Sequence, residues 1–266
     1  MDIISHTLTG IAVGTVVATI SNRSWKSKGL IILAGGLGGA LPDFDAISLW
    51  SKFDATIGSF LGLSHSGREI YSGKFWYSHH AAFHSLIAPI IFILLATSIR
   101  GLFNRKYKGF DALNRFKENR FLTLAFFFGF LFHLLEDMPT PASVWGGVNL
   151  FFPSSSYIGG FGHIWWWNNY DLVLIIGSVI ISNLMVNLIP LRFYKFKVRS
   201  SLSVFCIGLI LFLVQINTRT VDFSYSGPTV NYSELEAQSK QVQKEILGEK
   251  LFKFMTAVDN KIPLNF

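Results

Sequence analysis

The chain has 266 residues, half of them hydrophobic and 26 of them Phe, with a mean hydropathy of +0.42. Only 15% are charged, against about 25% in soluble domains, which excludes an ordinary soluble domain and indicates an integral membrane protein. The single cysteine, Cys206, excludes a disulfide framework and a cysteine metal site, and the net charge of +7 is confined to short loops in a way that excludes a nucleic-acid footprint.

In chain order, the first apolar segment starts at an N-cap formed by Ser5, His6 and Thr7 and runs to residue 20. No basic n-region or small-residue cleavage site precedes it, so no removable signal peptide is expected. A Gly-rich second segment covers 29–41 and is stopped by Pro42. A polar connection follows, long enough to suggest function. The third segment starts at His84 and ends near 103, and the fourth covers 121–137, ended by Pro139 and Pro141. The loop 142–169 carries Trp145 and Trp165, Trp166 and Trp167, a composition typical of a membrane boundary. Segments five and six cover 170–191 and 202–216. Only the fifth reaches the roughly 20 residues that a hydrocarbon core requires. The first two are short or Gly-rich enough to be helices buried in the bundle. Together these predict an all-α, polytopic membrane bundle over 1–217. A hydrophilic segment, 218–266, follows with an amphipathic helix over 233–258.

Lys and Arg number 3 in 23–28, 7 in 100–120 and 4 in 192–199, against 3 in 50–85 and none in 139–170. With six alternating segments, the positive-inside rule puts the three basic loops in the cytoplasm and both termini outside.

Chemistry-bearing residues gather at the ends of these segments. Gly129, His133 and Asp137 are spaced by four in a Phe-rich helix, so the imidazole and carboxylate share one face and can share one ion. Ionisable residues inside a membrane helix point to function. Their neighbour Glu136 is a candidate orienting group or catalytic proton acceptor. Asp43 and Asp45 follow Pro42 on an extended stretch and can reach one ion or bridge two, and Asp45 is also a catalytic candidate. His79, His80 and His84 crowd six residues before the third segment, with His79 and His84 as ligands and His80 as a supporting neighbour. His6 lies at the same end of the first segment. His163, in a Trp-rich loop, reads as an interfacial residue, and His65 has no supporting context.

The Ser-His-Thr start, Pro42-Asp43-x-Asp45, the run from His79 to Ser85, and Gly129-xxx-His133-xxx-Asp137 together resemble the YdjM-like family over about residues 5–155. Those are bacterial and archaeal membrane-bound proteins expected to be metal-dependent hydrolases, in some bacteria LexA-regulated. The family is more remotely similar to zinc-dependent phospholipase C and P1-type nucleases. The resemblance implies that His6, an Asp of the 43/45 pair, His84, His133 and Asp137 are metal ligands. Two positions depart from it: Met1 stands where the soluble enzymes have an N-terminal tryptophan ligand, and His80-Ala81 stands where Arg-Gly is usual.

An oxygen and nitrogen ligand set suits one or two divalent ions, Zn, Mn or Fe. The expected function is hydrolysis of a phosphoester, with a lipid of the surrounding bilayer as the first substrate to consider. The alternatives are a divalent-metal transporter, whose site would sit near the midplane, and a non-catalytic protein clamped by a closed structural metal.

Overall fold

The computed structural model describes residues 1–103, 112–228 and 231–261. The centre of the 100–120 basic loop, 104–111, lies outside the described residues. The architecture is all-helical: α1 (Ile3–Ser21), α2 (Trp25–Ala40), short α3 (Gly67–Ser72), α4 (Ile87–Phe103), α5 (Ala112–Asp137), α6 (Tyr170–Leu188), α7 (Tyr194–Ile216) and α8 (Tyr232–Asp259). A 3-10 segment, Pro42–Leu49, bends by 51° from the end of α2.

Among the described residues, four helices are long and apolar enough to cross a membrane, and a fifth crossing results if α2 and its bent continuation count as one. Several boundaries differ from those the sequence suggested. The α1 helix starts earlier, because the Asp2 carboxylate rather than Ser5 or Thr7 caps it by accepting from Ser5 N–H at 2.9 Å. It thereby gains the length of a span. The α5 and α7 helices also begin upstream of the apolar runs, carried by polar first turns. The α4 helix begins at Ile87, leaving His84 in a 3-10 turn ahead of it. Its apolar part, Ile87–Ile99, is too short to cross by itself.

The centre of the bundle is a glycine seam. With no hydrophobic drive between helices in lipid, close approach of small residues supplies the packing. A Cβ at Gly10, Gly35, Gly39 or Gly129 would overlap a backbone carbonyl of the facing helix, so α1, α2 and α5 meet backbone to backbone. Side-chain packing continues from that seam through Val13, Val17, Ile31 and Ala125. The α6 and α7 helices pack on the other side of α1, through Ala12, Ile176 and Val179. They leave Met185, Ile207, Leu211 and Val214 exposed, a lipid-facing surface that water would not tolerate.

In the Trp-rich loop, Trp167 is exposed and the other three tryptophans are buried. Trp145, Trp165 and Trp166 are buried with Phe223, and Tyr71, Tyr225 and Tyr232 pack around them, as a core over one end of the bundle. The α8 helix docks on this end through Gln243, which is bonded to Asp171 of α6. Beyond a kink at Gly248 (φ 74°), it reaches Tyr170, whose hydroxyl donates to Asp259 at 2.8 Å.

Candidate metal centre

The glycine seam sets the register of the site. Gly129 packs on the Gly35 carbonyl. One turn further along both helices, His133 Nδ1 donates to the Gly39 carbonyl at 2.7 Å. A carbonyl can only accept, so Nδ1 carries the proton and Nε2 presents its lone pair. That lone pair faces Asp137 Oδ2 at 3.1 Å, His84 Nε2 at 3.3 Å and Asp43 Oδ1 at 3.7 Å. Asp137 is the last residue of α5, held there by the proline break.

His6 occupies the first turn of α1. Its Nδ1 is bonded to Glu136 Oε2 at 2.8 Å, and its Nε2 lies 3.1 Å from Asp137 Oδ1. Thr9, one turn on, donates to the other oxygen of Glu136. The backbone amine of Met1 donates to Asp137 Oδ1 at 2.7 Å.

The chain between α2 and α4 supplies the other wall. His79 Nδ1 is bonded to Asp45 Oδ1 at 2.7 Å. His84 lies between two carboxylates, with Nδ1 3.4 Å from Asp45 Oδ2 and Nε2 3.6 Å from Asp43 Oδ1. Burial opposes its charge, yet Asp45, Asp43 and Asp137 together raise its pKa to about 10. The cluster demands positive charge.

The structure therefore brings His6, Asp43, Asp45, His79, His84, His133 and Asp137 together, although they come from four separate stretches of chain. It adds one residue that sequence reasoning placed only as a neighbour. His80 is buried, and its Nδ1 donates to the Gly147 carbonyl at 3.0 Å, leaving Nε2 free and 3.9 Å from Asp137 Oδ2. The histidine triplet hinted at it. The deciding features, a positive φ of 62° and a partner 67 residues away, leave no mark in the sequence.

Glu136, a catalytic candidate, has both oxygens engaged by His6 and Thr9 and is absent from the lining of the adjoining cavity. That geometry fits a group that orients His6 better than one that exchanges protons with a substrate. Asp45 is likewise buried behind His79 and His84 and does not line the cavity. His163 is exposed beside Phe161, and His65 stacks on Phe75, both apart from the cluster.

Among the described residues, three sets have donor atoms within 4.8 Å of one another: those of His79, His80 and His84, of His6, His133 and Asp137, and of Asp43, His84 and His133. Asp45 Oδ2, His84 Nδ1 and Asp137 Oδ2 are buried with no hydrogen-bond partner. Lone pairs facing one another without donors suit a cation, because an unpaired buried carboxylate is otherwise costly. The donor set thus fits one or two divalent ions.

The cluster opens on a cavity of about 1340 Å³, reached by Asp43, His79, His80 and Asp137, with an aromatic wall that includes Tyr71 and Trp145. The far side is formed by the end of α8 through Met255 and Val258. The family model of the YdjM inner membrane protein matches residues 1–221. The chain belongs to the YdjM family. The matched stretch contains α1 to α7 and every residue of the cluster, whereas α8 lies beyond it. No curated protein and no solved structure matches the chain. As a member of this inner membrane family with several apolar helices, the protein is an integral membrane protein.

Proposed function

We propose that this YdjM family protein is a membrane-bound metal-dependent hydrolase of phosphoesters, a lipid being the first substrate to test. One observation carries the reading: a cluster with unpartnered atoms on Asp137, Asp45 and His84 reaches a large cavity through Asp43, His79, His80 and Asp137. A purely structural metal site would be closed on all sides, and a transport site would sit at mid-bilayer, whereas these residues lie at helix ends.

His6, Asp43, His80, His84, His133 and Asp137 would hold the ion or ions, with Asp137 offering one oxygen to the His6 side and the other to the His133 and His84 side. Such an ion lowers the pKa of bound water toward neutrality and polarises a phosphoryl oxygen. The chain's own groups do the rest. The carbonyls of Gly39 and Gly147 fix the tautomers of His133 and His80, and Glu136 holds the His6 ring at Nδ1 while its Nε2 is bonded to the Met1 carbonyl. The aromatic wall excludes water and leaves room for an apolar or bulky leaving group. The likeness to phospholipase C-type sites supports this reading as an analogy.

The direct test is elemental analysis of the detergent-purified protein, followed by release of phosphate or headgroup from short-chain phospholipids with and without chelator. Metal at one or two equivalents with chelator-sensitive turnover is the expected result. A metal-free protein that gains none on incubation with Zn, Mn or Fe would end the proposal.

We place the site on the extracytoplasmic side, on the charge asymmetry of the loops. A cysteine at exposed Ser155, in a Cys206→Ala background, should then react with an impermeant maleimide in intact cells. Labelling only after lysis would put the site in the cytoplasm.

A further inference from the structure

Among the described residues, Arg68 is the only lysine or arginine lining the cavity; the other charged liners are Asp2, Asp43, Asp137 and Asp259, with the amine of Met1 engaged by Asp137. Its guanidinium has no ion pair, hydrogen bond or ring contact among the described residues. The nearest acids in sequence are occupied: Asp54 accepts from Gly67 N–H at 2.6 Å, and Glu69 closes a capping box with Ser66.

The backbone that carries Arg68 is firmly placed. Gly67 packs against the Ser48 carbonyl with no room for a Cβ. The Tyr71 carbonyl accepts from Trp145 Nε1 at 2.7 Å. The Tyr71 ring stacks on the His79 ring at 4.5 Å with 12° between planes. Residues three apart on a helix share a face, so Arg68 stands one turn from a ring that touches the histidine cluster. Both residues line the same cavity.

A cavity rimmed by carboxylates repels an anionic substrate except where a cation offsets them. Divalent ions held by the cluster would offset Asp43 and Asp137, and among the described lining residues Arg68 is the cationic side chain left to offset Asp2 and Asp259. A guanidinium matches phosphate oxygens with two parallel N–H donors.

We infer that Arg68 recognises a second anionic group on the substrate, so that the hydrolysed ester carries a neighbouring phosphate, as in a diphosphate. The inference rests on the metal-dependent reading of the cluster and specifies the substrate that reading leaves open. The diphosphate could be soluble or lipid-linked, and the aromatic wall accommodates either.

The test titrates zinc-loaded, full-length protein in detergent with orthophosphate, pyrophosphate and farnesyl diphosphate by calorimetry, measuring bound zinc in the same samples. Wild type should bind pyrophosphate about tenfold or more tightly than orthophosphate, the worth of one or two charge-assisted bonds. Arg68→Gln should abolish that preference while zinc content and orthophosphate affinity stay constant, and Arg68→Lys should restore part of it. Tighter binding of farnesyl diphosphate than of pyrophosphate would assign the lipid-linked source, and equal binding the soluble one. If zinc is bound but the preference is absent, or survives in Arg68→Gln, this inference alone fails. If no zinc is taken up, the metal reading fails and this inference falls with it.

Discussion

The two ends of the bundle both bury charge, and they resolve it in opposite ways. At the end away from the cavity, Lys28 Nζ donates to Asn187 Oδ1 at 2.8 Å, and Lys197 Nζ donates to the carbonyls of Asn187 and Ile189 at 2.7 and 3.0 Å. The Asn187 amide in turn donates to Thr19 Oγ1 at 2.6 Å. Cations there sit on the carbonyl end of α6, where helix dipoles favour them. At the cluster end, carboxylates and imidazole lone pairs face one another, and three of their atoms have no donor at all. Buried polarity by itself therefore marks structure as readily as function. What separates the ends is whether the protein supplies the partners, and whether a cavity reaches them.

The sharpest way to break this contrast is to remove acceptors from the cluster. His133→Ala and Asp137→Ala should each reduce bound metal below detection, since His133 belongs to two of the donor sets and Asp137 faces both His6 and His133. The fold should survive, because the glycine seam and the α6 and α7 packing do not depend on either side chain. Asp137→Asn should moreover lower the melting temperature of chelator-treated protein, because it leaves the buried Met1 amine and the His6 ring without their carboxylate partner. Full metal occupancy in either alanine variant, measured by elemental analysis, would return the cluster to the structural class of the lysine end.

Much of this contrast was legible in the sequence, and the reasons it was incomplete are local. The spacing of four between His133 and Asp137 is a helix-face argument that needs no structure. Their position before two prolines gave the depth. Gly129 was visible as part of a motif, but its reason, a backbone contact with Gly35 that sets the register for His133 and Gly39, depends on a helix pair remote in sequence. The α1 helix looked too weak to span because its apolar run starts late; the Asp2 cap extends it. The burial of Trp145, Trp165 and Trp166 leaves no mark in the sequence, because composition reports amphipathic character and not which face is covered. Arg68 carried no signal, since its meaning comes from a cavity assembled by distant loops.

A smaller effect should follow from loosening the support rather than the ligands. Glu136→Gln keeps the shape of the side chain but weakens its hold on His6 Nδ1, and Thr9→Val removes the donor to its other oxygen. Loss of such supporting groups typically costs 10–100-fold in metal affinity, so about tenfold is expected for Thr9→Val and more for Glu136→Gln. Competition with a chromogenic chelator measures it. An unchanged affinity in both would mean that His6 is oriented by the backbone alone, and that Glu136 acts in some other way.

The smallest effect on the site, and the control that gives the others meaning, lies at the opposite end. Lys197→Met keeps the apolar stem but leaves the carbonyls of Asn187 and Ile189 without their donor. Each unsatisfied buried acceptor costs about 1–3 kcal/mol, partly recovered where lipid headgroups or water reach the helix end. The melting temperature should therefore fall by several degrees while bound metal stays constant, because α6 meets the cluster end through a different turn. A fall in metal content equal to that of Asp137→Ala would show that the two ends share one cooperative polar network. A charge buried far from the cavity would then matter to the ion as much as a ligand does.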